Sequence, residues 1–344
     1  MESLGKEKIF SEARRRAEDP ELPLISVCVV TYNHRPYLSD CLDGILKQEG
    51  DFRLEILIHD DASEDGAREL IEDYERRFPE IIKPILQTEN QYSKGKTNIT
   101  GIFNIPRARG EFLAVMDGDD YYCDPRKLEK QIRCFQREKE LVFCFHSAKV
   151  LLPDGSFGNS ALMRPYRGSR ILSGAELVDR RGGAPFASFL FRREILETLP
   201  DYYFDCPVGD RPLEWIAASC GKSLYLDEPL SVYRFQHSGS WTREQGEGER
   251  EKKQRRYREA MEKSFLEFDR ESGGRFHPEI ERAIGRLRFL SYVNLRDFPE
   301  IYRRGNREFY RELSLRDRFF LQFERRLPGL YRAIIRNWVK ECAK

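Results

Sequence analysis

Short apolar, β-branched runs alternate with segments whose apolar residues recur at helical spacing, and this alternation constrains the fold more than any other feature of the chain. Residues 24–30 (LISVCVV) form the first run, bounded by Pro23 and by the polar Thr31, Tyr32 and Asn33. Continuous apolar runs of this length are what buried parallel strands look like. Pro36 suits an early helix position, and Leu38, Cys41, Leu42 and Ile45 then form one apolar face. Residues 54–58 read as a second strand, ending in His59, Asp60 and Asp61. Ser63 is placed to cap a helix whose face is Ala67, Leu70, Ile71, Tyr74 and Phe78. Residues 81–86 are a third strand, 97–109 a weaker helix ended by Gly110, and 111–116 a fourth strand that runs into Asp117-Gly118-Asp119-Asp120. A helix over 126–138 and a long strand or hairpin arm over 141–152 follow. The order predicts an α/β fold with a mainly parallel central sheet flanked by helices.

The 344 residues carry a net charge of +1, but this is a sum over unlike parts. Residues 246–344 hold 25 Lys/Arg against 17 Asp/Glu, and residues 1–245 hold 34 against 41. An acidic body therefore carries a basic tail. No apolar run approaches the ~18 residues that span a bilayer. The charged N-terminus has no apolar signal region, so the chain is expected to stay in the cytoplasm. Eight scattered cysteines without a CxxC pair read as reduced thiols, several of them small core residues, and not as a disulfide frame or zinc site.

In parallel sheets ligands bind beyond the carboxyl ends of the strands. Three predicted strands deliver polar groups to that edge: Thr31-Tyr32-Asn33, Asp60-Asp61, and Asp117 to Asp120. A dinucleotide GxGxxG is absent, and Gly95-Lys96-Thr97 lacks the first glycine of a phosphate loop, having Asn90 there. Adjacent carboxylates repel unless a cation sits among them. Hard oxygen ligands select Mg²⁺ or Mn²⁺, ions that share their coordination with substrate phosphates. The alternative is a solvated acidic turn.

Four stretches carry a specific resemblance: ISVCVVTYNHRPYLSDCLDGILKQ, ILIHDDASEDG, GEFLAVMDGDDYYCDPRKLEKQI and VGDRPLEWIAASCGKSLYLDEPLSVYRFQHSGS. In this order and spacing, over roughly residues 24–241, the chain resembles the family 2 glycosyltransferases, inverting nucleotide-sugar enzymes of the Rossmann-like GT-A fold. The resemblance implies that Thr31 and Tyr32 line the base pocket and that Asp61 accepts from the uracil ring. It makes Asp117 and Asp119 a DxD motif with Asp120 as acidic neighbour. Within this trio one group would meet the ribose and one or two, Asp119 and Asp120 foremost, would hold Mn²⁺ or Mg²⁺. Asp60 is the poorer candidate, being equally suited to forming its own turn.

Residues 153–204 are loop-rich, with a strand expected over 187–191; in the family this region shapes the acceptor site. Ser188 is either a contact or a satisfied strand serine. Asp210 matches the family's catalytic base, which an inverting reaction needs to deprotonate the attacking hydroxyl. It also stands where a helix cap would, and Glu214, one turn on, is the backup base. His237 follows Tyr233 and Arg234 with one residue more than the family's spacing; by resemblance it would complete the metal shell. Arg234 would pair either with phosphate or with a structural carboxylate, and Trp241 is either a lid or a loop anchor. His34, His59, His146 and His277 have no partner pattern and read as structural or solvated.

The expected division is a lead-in over 1–23, the catalytic GT-A domain over 24–245 and a basic helical region over 246–344. In the last region Tyr257, Met261, Phe265 and Phe268 form one apolar face, and Ile284, Leu287, Leu290 and Val293 another. Near the end Leu330, Ile334 and Trp338 oppose Arg332, Arg336 and Lys340. Such a helix either lies on an anionic membrane surface, here the inner face of the plasma membrane, or packs on the body with its basic face solvated.

The expected reaction moves a hexosyl or N-acetylhexosaminyl group from a nucleotide sugar, UDP-linked by the family's habit, to a saccharide or lipid-linked saccharide acceptor. Bacterial surface polysaccharide or glycan synthesis is the expected setting. A metal-dependent nucleotidyltransferase would need a glycine- and basic-rich loop after the first strand, which TYNHRP is not. A non-catalytic nucleotide-sugar-binding relative would not need Asp210. Nucleic acid is not an expected partner, since no binding motif accompanies the charge.

Overall fold

The structure, a computed structural model, describes residues 2–235 and 250–331. His237, Trp241 and most of the basic helix expected near the end, from residue 332 on, lie outside the described residues. The chain opens with α1 (Glu2–Ala17) and then alternates through β1 (Leu24–Thr31), α2 (Arg35–Leu46), β2 (Arg53–Asp60), α3 (Ala67–Arg77), β3 (Ile82–Leu86) and β4 (Phe112–Asp117). Next come β5 (Tyr121–Tyr122), α4 (Lys127–Arg137), β6 (Leu141–Leu151), β7 (Arg170–Leu172), α5 (Gly174–Val178), β8 (Leu190–Arg192), α6 (Asp201–Asp205), α7 (Asp210–Cys220) and β9 (Lys222–Arg234). The later helices are α8 (Arg250–Glu271), α9 (His277–Leu295), α10 (Phe298–Ile301), α11 (Arg307–Glu312) and α12 (Leu315–Arg326).

One sheet runs β3-β2-β1-β4-β8-β6-β9-β5, with β7 on β9. The ladders β1–β2, β1–β4, β2–β3 and β6–β9 are parallel and long. The antiparallel ladders β4–β8, β5–β9, β6–β8 and β7–β9 have only two or three residue pairs each. Strand alternation splits the core in two. Cys28, Leu57, Leu113 and Val115 face the layer formed by α5, α7, α8 and α9. Their neighbours Val27, Val29, Ile56, Ile58, Ala114 and Met116 face the layer formed by α1, α2, α3 and α4.

The later helices share the first of these cores. Met261, Phe265 and Phe268 of α8 meet Trp215 of α7, with ring centroids 4.6 Å (Phe265) and 5.3 Å (Phe268) away. Ile284 and Leu287 join the same core, whereas Val293 packs with Phe289, Ile301 and Leu321 in a small separate cluster. Helix α9 thus holds the larger of these cores with one face and the terminal helices with the other.

Two expected elements differ. Residues 97–109 form no regular helix but a π-helical turn (Thr100–Asn104) and a 3₁₀ turn (Ile105–Arg107). Pro106 removes a helical donor, and asparagines tie the segment sideways: Asn104 donates to the Val29 carbonyl at 3.0 Å and Asn98 to that of Cys206 at 2.9 Å. The strand expected over 187–191 begins only at Leu190, after a 3₁₀ turn over Phe186–Ser188.

Candidate active site

The turns after β1 and β2 are built as one unit. Asn33 and Ala62 hold positive φ, 54° and 66°, a conformation that costs non-glycine residues energy and that surrounding contacts must impose. Those contacts are reciprocal. Ser63 Oγ accepts the Asn33 N–H at 2.8 Å, and Asn33 Oδ1 accepts that of Glu64 at 2.9 Å. Ser63 also donates to Asp60 at 2.5 Å, so Asp60 is occupied as a turn former. Ser63 is therefore a brace and not the cap of α3, whose N-cap position is Gly66.

A cavity of about 980 Å³ opens at the carboxyl ends of β1 and β4. Tyr32, Asp61, Asp117, Asp119, Asp120 and Asp210 line it, brought from four separate segments. Thr31 is close by but buried, packed where a side chain on residue 118 would collide with it; Gly118 permits that approach. Asp61 is fixed by two backbone donors, Gln91 N at 2.8 Å and Tyr92 N at 3.0 Å.

The three carboxylates after β4 are not equivalent. Asp120 turns inward and accepts the backbone N–H of Arg234 at 3.0 Å. Asp119 stands beside the His34 ring, 3.9 Å from Nε2. Asp117 is half-buried at the cavity wall near Asp119 and Asp210, and burial with these like charges raises its carboxyl to about 8. Arg234 has the structural carboxylate as partner: its guanidinium meets Asp40 at 2.5 Å and lies over the Tyr37 and Tyr121 rings.

Asp210 is the first residue of α7, with Gly209 in the N-cap position. Glu214, one turn on, is fully buried between Arg180 and Arg211, each at 2.7 Å. That pairing leaves it no access to substrate and removes it as the backup base. Ser188 is buried and donates to the Pro185 carbonyl at 2.6 Å, the satisfied serine of the two readings.

His34 is the site residue that sequence reasoning missed. Among the other histidines with no partner pattern, His59 and His146 are buried and His277 pairs with Asp269 at 2.6 Å on the surface. The position of His34, just past the β1 edge that already supplied Tyr32, was the available signal. Asn98 was also missed: it lines the cavity and holds the carbonyls of Tyr203 and Cys206, which lead into Asp210.

Among the described residues no three His, Cys, Asp or Glu side chains are grouped to hold a metal by themselves. The chain nevertheless fits a shared ion. Mg²⁺-type sites commonly use one or two carboxylates plus substrate phosphates. Burial first, and then the neighbouring carboxylates of Asp119 and Asp210, raise the carboxyl of Asp117, and a divalent cation would relieve the part that is repulsion.

An uncharacterized protein of Mycobacterium tuberculosis is 32% identical over 225 residues, 63% of this chain. The chain spans 60% of the length of that relative. Two solved structures are similar in fold. The S. aureus TarS 1–349 complex with UDP-GlcNAc gives a TM-score of 0.56 at 15% identity, covering 83% of this chain and 78% of that one. The mannosyltransferase PcManGT of Pyrobaculum calidifontis, in complex with GDP-Man and Mn²⁺, gives 0.50 at 17% identity, covering 89% and 90%. The fold is GT-A, an α/β architecture around a mainly parallel sheet. The family model of Glycosyl transferase family 2 matches residues 26–199, half of the chain, and the chain belongs to that family.

Proposed function

We propose that the chain is an inverting glycosyltransferase. It moves a hexosyl or N-acetylhexosaminyl group from a nucleotide sugar, UDP-linked in preference, to an acceptor hydroxyl in surface polysaccharide or glycan assembly. The carrying observation is the meeting of Asp61, Asp117, Asp119 and Asp210 around one cavity. Tyr32 and Asp61, with buried Thr31 behind them, form the base pocket, and Asp117 and Asp119 take the ribose and diphosphate end. Asp119 is the preferred metal ligand; Asp120, committed to the Arg234 backbone, supports the turn. His237 remains a proposed further ligand outside the described residues.

Asp210 takes the proton of the attacking hydroxyl. The new C–O bond forms on the face of the anomeric carbon opposite the nucleoside diphosphate, and the bond to phosphate oxygen breaks with its electron pair leaving on the diphosphate. Bound Mn²⁺ or Mg²⁺ would supply charge stabilisation of that leaving group. No covalent enzyme intermediate is needed. Residues 24–245 carry the donor site in this reading, with 1–23 as lead-in, and α8 and α9 of the basic region over 246–344 add a helical wall on the acceptor side.

A cytoplasmic enzyme peripheral on the membrane is the proposed setting. It is supported by exposed Leu315, Phe319, Leu327 and Leu330 among Arg316, Arg318, Arg325 and Arg326. Among the described residues no helix is long and apolar enough to cross a membrane.

A thermal-shift screen of UDP-, GDP- and dTDP-sugars with and without Mn²⁺ tests the donor reading. A metal-dependent upward shift with one nucleotide class is expected. No shift with any of them, in the presence of metal, sinks it.

A further inference from the structure

The segment between β3 and β4 is tied down at two points. Near its start it folds onto Asp61: the backbone N–H groups of Gln91 and Tyr92 donate to the two carboxylate oxygens, and Asn90 Nδ2 donates to the Asp61 carbonyl at 3.1 Å. Further on, Thr97 and Asn98 reach the end of α6. The last carbonyls of a helix have no intrahelical partners, and in a helix of five residues these are most of the carbonyls there are. Asn98 Nδ2 donates to the carbonyl of Tyr203 and, at 2.9 Å, to that of Cys206. Thr97 shares its hydroxyl proton between the carbonyls of Phe204 at 3.3 Å and Cys206 at 3.4 Å. Gly101, one turn beyond Asn98, leaves room for the Tyr203 ring, which a side chain at that position would strike.

Only Pro207, Val208 and Gly209 separate the last of these carbonyls from Asp210, and the proline ring fixes one torsion on the way. Asn98 also touches the residue before Asp210 directly, since its Oδ1 lies 3.2 Å from where a side chain on Gly209 would begin. Asn98 is 4% exposed and stands with residues 207–210 in the wall of the cavity, so the clasp is part of the site and not remote from it. A proton acceptor must come within roughly 2.6–3.2 Å of the proton it takes. A misplacement of about 1 Å costs about 10²-fold in rate. We propose that Asn98 is a positioning residue for Asp210: with Thr97 it fixes the end of α6, and through it the place of the Asp210 carboxylate relative to a nucleotide held at Asp61. This rests on the glycosyltransferase reading, in which Asp210 is the proton acceptor. One segment then carries both contacts, to the acid at the nucleobase and to the acid at the reacting hydroxyl.

Asn98→Leu keeps the size of the side chain and removes both donors. Asn98→Ala, which sets no apolar bulk against the carbonyls, is the second variant, and cooperative unfolding in urea reports that each is folded. Crystal structures of the full-length variants read the place of Asp210 without any donor. Its carboxylate is expected to move by about 1 Å or more while Asp61 and Asp119 stay where they are. A carboxylate that stays in place in a folded variant overturns the proposal. Hydrolysis of radiolabelled UDP-glucose and UDP-N-acetylglucosamine with Mn²⁺, water serving as acceptor, gives the kinetic arm. There kcat is expected to fall about 10–100-fold with the donor KM changed by less than about two-fold. Added to Asp210→Asn, either substitution is expected to cost no more than about two-fold further, because a residue that acts through Asp210 has nothing left to position. Equal losses in both backgrounds, or a loss seen only as a higher KM, overturn the proposal. Full hydrolysis by Asp210→Asn, with the carboxylate displaced in Asn98→Leu, instead counts against Asp210 as proton acceptor and leaves the clasp standing.

Discussion

Arg180 and Glu214 form an ion pair at 2.7 Å with side chains only 2% and 0% exposed, and Arg211 holds the other carboxylate oxygen at 2.7 Å. The pair joins the loop after α5 to the helix that begins with Asp210, so that loop and the proposed base share one buried link. Breaking a buried pair leaves a charge unpaired, at a cost of about 3–5 kcal/mol. Glu214→Ala should lose stability of that order in urea denaturation. A loss below about 1 kcal/mol, typical of exposed pairs, would show that the link carries little.

Asp210 and Glu214 were both candidates for the base, and their environments separate them. Asp210→Asn should lower the transfer rate by roughly 10²–10⁴-fold while leaving the affinity for UDP unchanged. Single-turnover transfer from a radiolabelled nucleotide sugar measures the first, calorimetry the second. A variant that retains the full rate takes Asp210 out of its role.

The strands and the polar ends of β1, β2 and β4 were legible because both are local properties: a β-branched run, then an acid. Asp210, as a proposed base, came only from family spacing. The partners of these residues were not legible. Asp40 lies 194 positions from Arg234, and Arg180 and Glu214 come from segments joined only by folding. The same distance hid His34, 85 positions before Asp119 in sequence and 3.9 Å from it in space. The segment over 97–109 misled for a different reason. Its apolar spacing is helical, but Asn98 and Asn104 spend their side chains on distant backbone carbonyls.

Asp119 faces the cavity beside His34, whereas Asp120 is turned to the backbone, and this predicts unequal effects on metal-dependent binding. UDP at 100 times its dissociation constant should stabilise the unmodified chain by about 2.7 kcal/mol when Mn²⁺ is present. Asp119→Asn should remove most of the Mn²⁺-dependent part. Equal nucleotide stabilisation of Asp119→Asn and the unmodified chain, with and without Mn²⁺, would rule Asp119 out as the ligand.

The exposed apolar residues of α12 stand among arginines, and each basic residue near an anionic surface contributes about 1 kcal/mol. The full chain should sediment with phosphatidylglycerol vesicles at low salt and be released as salt rises. Phe319→Glu adds a charge to the apolar face and should cut binding several-fold. Sedimentation that is the same for both proteins would place the contact elsewhere.

Lys127 is wholly buried at the start of α4, with its ammonium 4.1 Å from the centre of the Tyr122 ring, and burial lowers it to about 7. In the unfolded chain a lysine titrates near ~10.4. Between these values the unfolded state binds the extra proton, so stability rises as pH rises through that window. Below about 7 both states are protonated and the full burial cost falls on the folded state. At about 1.4 kcal/mol per unit the cost amounts to several kcal/mol. Lys127→Met keeps the apolar contacts and removes the titration. It should be more stable than the unmodified chain at pH 6, and the advantage should shrink steadily towards pH 10. Urea denaturation of both proteins at pH 6, 8 and 10 measures it, and an advantage that does not change with pH would show that Lys127 keeps its proton in the folded state.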